Sequence, residues 1–261
     1  MTTEDFIIEL FCRIDDQMSD VARHSQAGLY PSELVTIGVL FALKGVGGRA
    51  FYRWLSRDYG VWFPLLPERT RLFRRLKNQR QWTYRFLVKP SLLGVIDSYG
   101  IELIHPVREG RSEAQIGEKG LSNRRWIVGG KLCWLLNHLG LVIGWDYATA
   151  NVHDTHFEAM VNHFADYTVI FSDFGFHSKE GDHPNLKVCK PFTHNERMII
   201  ETSLSLLTTI CHFKKIFHRT WDQFQARLAF TMATFNLLVS WHGFAPDQNG
   251  IFHLSIAEFS L

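Results

Sequence analysis

The sequence lacks the marks of a secreted or membrane-spanning chain. None of its four cysteines belongs to a CxxC pair, which argues against a disulfide framework or a cysteine zinc site and favours reduced thiols in a cytoplasmic protein. The first residues, MTTEDFIIELF, carry acids where a secretory signal carries bases. The best apolar run, Leu34 to Ala42, is too short to cross a bilayer and predicts a core helix instead.

Long polar or low-complexity stretches are missing as well. The chain has 261 residues, of which 46% are hydrophobic and 14% aromatic, including eight Trp. Such a composition excludes extended disorder and provides enough apolar surface for a sizeable core. It predicts one large folded domain or two smaller ones.

The chain has little net charge, but the charge is unevenly distributed. The total is only +2, whereas the segment from Glu68 to Lys89 contains eight bases and one acid. This basic block therefore carries +7, and the rest of the chain carries −5. A concentrated positive segment predicts a surface that binds a polyanion. The alternative is a solvated helix face without a partner.

The first 89 residues have the pattern of several short helices. Glycines from Gly45 to Gly48, and then Pro64 and Pro67, interrupt the apolar periodicity. The last predicted helix, Thr70 to Phe86, has an apolar side and carries most of the basic block. Short helices that end in a basic one resemble a helix-turn-helix DNA reader, so residues 1–89 are predicted to form a DNA-binding domain.

After residue 90 the pattern changes to short apolar runs that alternate with amphipathic segments. Asn137 and Gly140 suit the turn of a hairpin. The predicted strands are 92–103, 130–136, 140–147, 167–171 and 186–189, and the predicted helices are 155–164, 195–213 and 221–241. The polar segment 107–125 is predicted to be a loop. This order predicts an α/β fold, a mixed sheet flanked by helices, over residues 90–245, with 246–261 as a C-terminal tail.

Three acids lie in apolar surroundings within this second region. Asp97 interrupts the first predicted strand, Asp173 ends the fourth, and Glu201 lies within an apolar helix. A buried carboxylate is costly unless it is paired or bound to a metal. Carboxylates that converge at one edge of a sheet would repel one another, and divalent cations would relieve that repulsion. The three residues therefore form the predicted catalytic and metal-binding set.

Each acid also has a simpler interpretation. Asp97 or Asp173 could cap a turn, and Glu201 could pair with Arg197 one helical turn earlier. Asp146, which also lies near the end of a predicted strand, is the main rival carboxylate. Asp154 is predicted to help cap the helix that begins near Thr155.

Four segments together resemble the insertion-sequence transposases, whose catalytic core has an RNase H-like fold and an Asp-Asp-Glu triad. They are VIDSYGIELI around Asp97, the hairpin GGKLCWLLNHLGLVIGWDYATANVHD, VIFSDFGFHS around Asp173 and NERMIIETSLSLL around Glu201. The triad residues are 76 and then 28 positions apart, and Arg197 stands four positions before Glu201, as is frequent in the family. RAFYRWL and RLFRRLK resemble the family's leading helical domain. The likeness covers nearly the whole chain.

This resemblance implies a DNA transposase that cuts element ends and joins a 3′-hydroxyl to target DNA. It implies two Mg²⁺ or Mn²⁺ ions at Asp97, Asp173 and Glu201, a homo-oligomer on DNA, and a cytoplasmic, nucleoid-associated protein. Related families often carry a Lys seven positions after the Glu, where this chain has Thr208. The residues expected to contact DNA are Arg69, Arg71, Arg74, Arg75, Lys77, Arg80, Arg124, Lys131, Arg197, Lys214 and Lys215.

Three other functions remain open at this point. The first is a catalytically inactive relic that binds DNA, and the second is an RNase H-like nuclease. The third is a zinc hydrolase, because His153 and His156 have the spacing of two zinc ligands, although no third ligand follows at motif spacing.

Overall fold

The computed structural model describes residues 2–122, 124–189, 196–213, 216, 218–244, 248 and 254–259, without the side chains of 196–199 and 257. Its α-helices are α1 (Thr3–Gln17), α2 (Pro31–Lys44), α3 (Gly48–Asp58), α4 (Arg69–Asn78), α5 (Glu158–His163), α6 (Glu196–Ile210) and α7 (Trp221–His242). Its strands are β1 (Leu93–Ile104), β2 (Glu118–Ser122), β3 (Arg125–Asn137), β4 (Val142–Thr149), β5 (Val169–Ser172) and β6 (Leu186–Val188). The predicted mixed α/β class is confirmed.

The local sequence explains where helix α2 begins and ends. Helix α2 starts at Pro31, whose fixed φ suits the first helical position, and the Glu33 side chain accepts a hydrogen bond from the Tyr30 backbone. Gly45, in the left-handed conformation, ends it. The predicted helix from Thr70 to Phe86 was too long: α4 stops at Asn78, and a 3₁₀ segment follows over Arg80–Phe86.

The sheet is built around β3. One edge of β3 pairs antiparallel with β1, and its other edge pairs with β2 along the first half and β4 along the second. Strand β5 then pairs parallel with β1, and β6 pairs parallel with β5. The carboxyl ends of β5 and β6 therefore lie at the same edge of the sheet, beside the middle of β1.

Strand β2 lies inside the segment that was predicted to be a loop. Within Glu118–Ser122 only Gly120 is buried, so the sequence has no apolar alternation there. A tight turn at Arg124, with φ of 62°, brings the strand back onto β3. Gly120 lies so close to the Ala150 carbonyl that an added Cβ would stand 2.0 Å from it, which explains the absence of a side chain.

Helix α7 lies between the N-terminal helices and the sheet, and nearly all of it is buried. The Asn236 side chain donates to the carbonyls of Phe86 and Val142 and accepts from the Val142 amide, each at 2.8 Å. One hydrophobic core therefore includes residues of both predicted regions. A smaller core on the opposite face of the sheet contains α5 residues.

Aromatic residues from the first and last described segments pack together near the C-terminal end of α7. The rings of Phe6 and Trp241 stack with centroids 5.3 Å apart, and Phe259 packs against both. The predicted tail, 246–261, thus contributes Phe259 to the core, while most of its residues are outside the described part.

Among the described residues, no single helix is long and apolar enough to cross a membrane. Only α2 and α3 taken together would be long and apolar enough, and the chain bends by 118° between them.

Acid is expected to destabilise the fold through His218. Burial, and then the positive charge of Arg227, lower the pKa of His218 from 6.5 to about 4. The unfolded chain protonates this imidazole near pH 6.5, whereas the folded protein keeps it neutral down to about pH 4. Above pH 6.5 both states are neutral at this position, so His218 costs the fold no stability there. As the pH falls to about 4, the free energy of unfolding should drop by about 3 kcal/mol.

Urea unfolding of the native protein and of His218→Asn, between pH 7 and 4, measures this contribution. Protonation of acids whose pKa is lowered, such as Asp20, also reduces the stability of the protein in acid, but it does so equally in the native protein and the variant. The native protein should lose more stability than the variant over this range. Equal losses would contradict the assignment.

Candidate active site

Asp97 and Asp173 occupy corresponding positions just beyond the paired part of β1 and β5. The parallel register pairs Leu93 with Val169 and Val95 with Phe171, and each aspartate lies two residues after the last of these pairs. Neighbouring strands are about 4.8 Å apart, so a register continued to these residues would bring the two backbones close together. Asp97 is half-buried on β1 and its Oδ1 accepts from the Ser98 amide, while the Asp173 Oδ1 accepts from the Gly175 amide at 2.9 Å.

A third aspartate, Asp154, lies before α5 and contacts both Ser98 and the turn that follows Asp173. Its Oδ1 accepts from the Ser98 hydroxyl at 2.6 Å and from the Lys131 ammonium at 2.8 Å. Its Oδ2 faces the turn after Asp173: a Cβ built on Gly175 would stand 2.5 Å from this oxygen and 3.0 Å from the Asp173 Oδ1. Carboxylate oxygens of Asp154 and Asp173 therefore lie on either side of one small gap.

The role predicted for Asp154 was wrong. The short 3₁₀ segment Asp154–Phe157 is capped by the ring of His153, which accepts from the Thr155 amide. Asp154 points instead into the protein, where Lys131 satisfies its charge; the two side chains are 19% and 12% exposed. A single lysine within the apolar strand 130–136 was the sequence signal for a buried acidic partner.

The Cys133 thiol lies close to several negative charges. It is fully buried on β3, opposite Ser98 in the ladder. Burial raises its pKa well above the usual value, and the negative charges of Asp154, Asp97 and Asp146 raise it further. Cys133 is therefore an inert thiol.

The described contacts do not bring Glu201 to the two aspartates. Helix α6 packs on β1, and Glu201 is exposed on it. Two residues further on, the Ser203 hydroxyl donates to the carbonyl of Gly140 in the β3–β4 turn. That turn lies next to Gly94 on β1. Gly94 is three residues before Asp97, a distance of about 10 Å along the strand. The Arg197 side chain, its alternative partner, is outside the described residues.

The site differs from a zinc site. The His153 ring is engaged with Thr155, and the His156 ring lies edge-on against Phe157. Asp146, the rival carboxylate, is exposed on β4. In the described part of the chain, no group of three or more His, Cys, Asp and Glu side chains has the arrangement of a metal site. The aspartate oxygens are nevertheless the hard donors that Mg²⁺ prefers.

The predicted DNA-binding residues are in different environments. Arg69, Arg71 and Arg74 are exposed on α4, and Arg75 is half-buried there. Lys77 pairs with Asp222 at 3.2 Å, and Arg80 donates to the Lys77 carbonyl. Arg124 is exposed at the β2–β3 turn, whereas Lys131 is partly buried and paired with Asp154. Lys214 and Lys215 lie outside the described residues, as does the side chain of Arg197.

Helix α3 adds two arginines that the sequence reasoning missed. Arg49 and Arg53 lie one helical turn apart and are exposed. With Arg69 they line an open depression between α3 and α4. The RAFYRWL segment contained this signal, because its two arginines are four positions apart.

Comparison with models of known protein families, with curated proteins and with solved structures gave no match.

Proposed function

We propose that the chain is a DNA transposase of the insertion-sequence type that cuts and joins DNA at a centre built on Asp97 and Asp173. The observation that supports the proposal is the parallel register of β1 and β5, whose last pair, Val95 and Phe171, stands two residues before both acids. Apart from the short β2, three antiparallel strands (β1, β3 and β4) are followed by two parallel ones, and this order supports an RNase H-like core.

The aspartates are suited to hold divalent cations against DNA phosphates. Bound there, two such ions would stabilise the attacking and leaving oxygens of a phosphodiester displacement. The residues of the chain hold the carboxylates in place: the Gly175 amide orients Asp173, and the Ser98 amide orients Asp97. Glu201 stays the proposed third member of the triad.

The arginines of α3 and α4 give the proposed enzyme a second contact with DNA. No acidic partner within ion-pair distance is described for Arg69, Arg71 or Arg74, so their charges are available to phosphates. Phosphate contacts of this kind supply affinity and register, while base contacts supply sequence preference. We propose that this surface, as part of a helix-turn-helix-like region, holds the element ends.

One assay separates this proposal from its two alternatives. Purified protein is incubated with Mg²⁺, a linear DNA that carries both borders of its own gene, and an unrelated plasmid. A transposase cuts at the borders and joins the new 3′ ends to the plasmid. An RNase H-like nuclease cuts both DNAs alike. A binding relic retards the border DNA in a gel and leaves it intact, which would refute the catalytic proposal.

Removing two arginines of α4 should weaken DNA binding uniformly. Arg71 and Arg74 lie three positions apart, on one helix face. If both contact phosphates, Arg71→Gln/Arg74→Gln should reduce the slope of log K against log salt by about 2. Fluorescence anisotropy with border DNA between 50 and 300 mM salt measures the slope. The matched control, Arg108→Gln/Arg111→Gln, removes two exposed charges outside the block and should leave the slope unchanged.

A further inference from the structure

The ion pair of Asp154 and Lys131 joins three elements around the proposed centre. Lys131 on β3 donates to the Asp154 Oδ1 at 2.8 Å and to the Val152 carbonyl at 2.7 Å. Ser98, the next residue after Asp97 on β1, donates to the same carboxylate oxygen at 2.6 Å. Asp154 thus fixes the segment before α5 to β1 and β3, and on β1 it is bonded to the residue that follows Asp97.

The second oxygen of Asp154 has a different environment from the first. It faces Gly175, whose amide holds Asp173. A side chain at position 175 would collide with Asp154 and crowd Asp173, so the glycine allows the turn to approach Asp154 closely. Asp154 therefore touches the turn that orients Asp173 and, through Ser98, the strand that carries Asp97.

The pair also sets the charge of the centre. Asp97, Asp173 and Asp154 would together carry three negative charges, and Lys131 cancels one of them. Because Lys131 is mostly buried, solvent screens its charge less than it screens the exposed arginines. Metal affinity at the two aspartates should therefore depend on both members of the pair.

We propose that Asp154 is a positioning residue for the metal centre and that Lys131 is its charge-balancing partner. This inference rests on the proposed function, since it assumes that Asp97 and Asp173 bind a divalent cation. Outer carboxylates that orient metal ligands commonly change metal affinity by about 10- to 100-fold when they are removed.

The test is a Mn²⁺ titration of the whole protein, followed by the paramagnetic signal of free Mn²⁺. We expect Asp154→Asn to weaken Mn²⁺ binding by about 10- to 100-fold, because the turn loses its anchor and Lys131 is left uncompensated. We expect Lys131→Met to tighten binding by about tenfold, because Asp154 then adds its full negative charge. Opposite directions of this kind are not expected from a pair that only stabilises the fold.

The double variant Asp154→Asn/Lys131→Met separates position from charge. It has the native net charge and no unpaired buried charge, so it protects the test against a variant that fails to fold. We expect its Mn²⁺ affinity to stay below that of the native protein, because the ion pair that fixes Asp154 next to the turn after Asp173 is lost. Thermal unfolding in EDTA, measured in parallel, reports the folding of each variant.

Asp173→Asn and Asp146→Asn complete the set. If Asp173→Asn weakens binding while a folded Asp154→Asn binds as the native protein does, the role of Asp154 is refuted and the proposed metal centre stands. If Asp173→Asn has no effect, or the native protein binds no Mn²⁺, the proposed centre fails and this inference fails with it. Asp146→Asn, an equal charge change on exposed β4, should bind Mn²⁺ nearly as the native protein does.

Discussion

Asp97→Asn and Asp173→Asn should each reduce metal-dependent cleavage of border DNA by about a thousandfold. Such a loss corresponds to about 4 kcal/mol of transition-state stabilisation, within the several kcal/mol that a bound metal supplies. The amide keeps the shape of the side chain but offers the cation one weak oxygen in place of a charged carboxylate. Initial rates of strand cleavage in Mg²⁺ measure the effect.

Asp173→Asn should leave the fold intact. Asparagine keeps the size of the side chain, and its Oδ1 can still accept from the Gly175 amide. The melting temperature of this variant in EDTA should therefore be close to that of the native protein. Asp146→Asn serves as the control for activity and should retain cleavage. Cleavage that survives both substitutions would mean that the chemistry uses other residues.

Arg227→Met should lower the free energy of unfolding by about 3 kcal/mol. The guanidinium lies at the last turn of α2, where it donates to the carbonyls of Phe41 and Ala42. It also donates to the Cys211 carbonyl at 3.3 Å. Methionine keeps the length and the packing against the Phe41 ring but leaves these buried carbonyls without a donor. Each buried acceptor that loses its donor costs about 1–3 kcal/mol.

Chemical denaturation with urea measures this loss. Burial lowers the pKa of Arg227 to about 10, so the guanidinium stays protonated at neutral pH and its hydrogen bonds are intact there. Arg219→Met, at an exposed position shortly before α7, is the matched control and should change the stability little. A loss no greater for Arg227→Met than for Arg219→Met would show that the carbonyls find other donors.

The elements that the sequence predicted well are those with a strong local signal. Strand β1 was evident as an apolar run between Pro90 and Pro106, and the β3–β4 hairpin from Asn137 and Gly140. Strand β2 was missed because its pairing depends on β3 and not on apolar alternation of its own. Likewise, α4 was predicted eight residues too long, because amphipathic spacing continues into the 3₁₀ segment.

The site was predictable to the extent that strand ends are predictable. Asp97 and Asp173 were selected from their positions in apolar strands, and the parallel register of β1 and β5 continues to within two residues of both. The partnership of Asp154 and Lys131 joins residues 23 positions apart, and that of Arg227 and Phe41 joins residues 186 apart. Such contacts arise from packing between elements, so charge alone suggested a DNA contact for Lys131, which the structure instead pairs with Asp154.

The location of bound Mn²⁺ tests the central claim most directly. Crystals of the protein with its border DNA, soaked in Mn²⁺, would reveal the metal by anomalous scattering. We predict a peak between the carboxylates of Asp97 and Asp173, close to a DNA phosphate. A protein that cleaves border DNA but binds Mn²⁺ elsewhere, or whose peak persists unchanged in Asp173→Asn, would contradict the account.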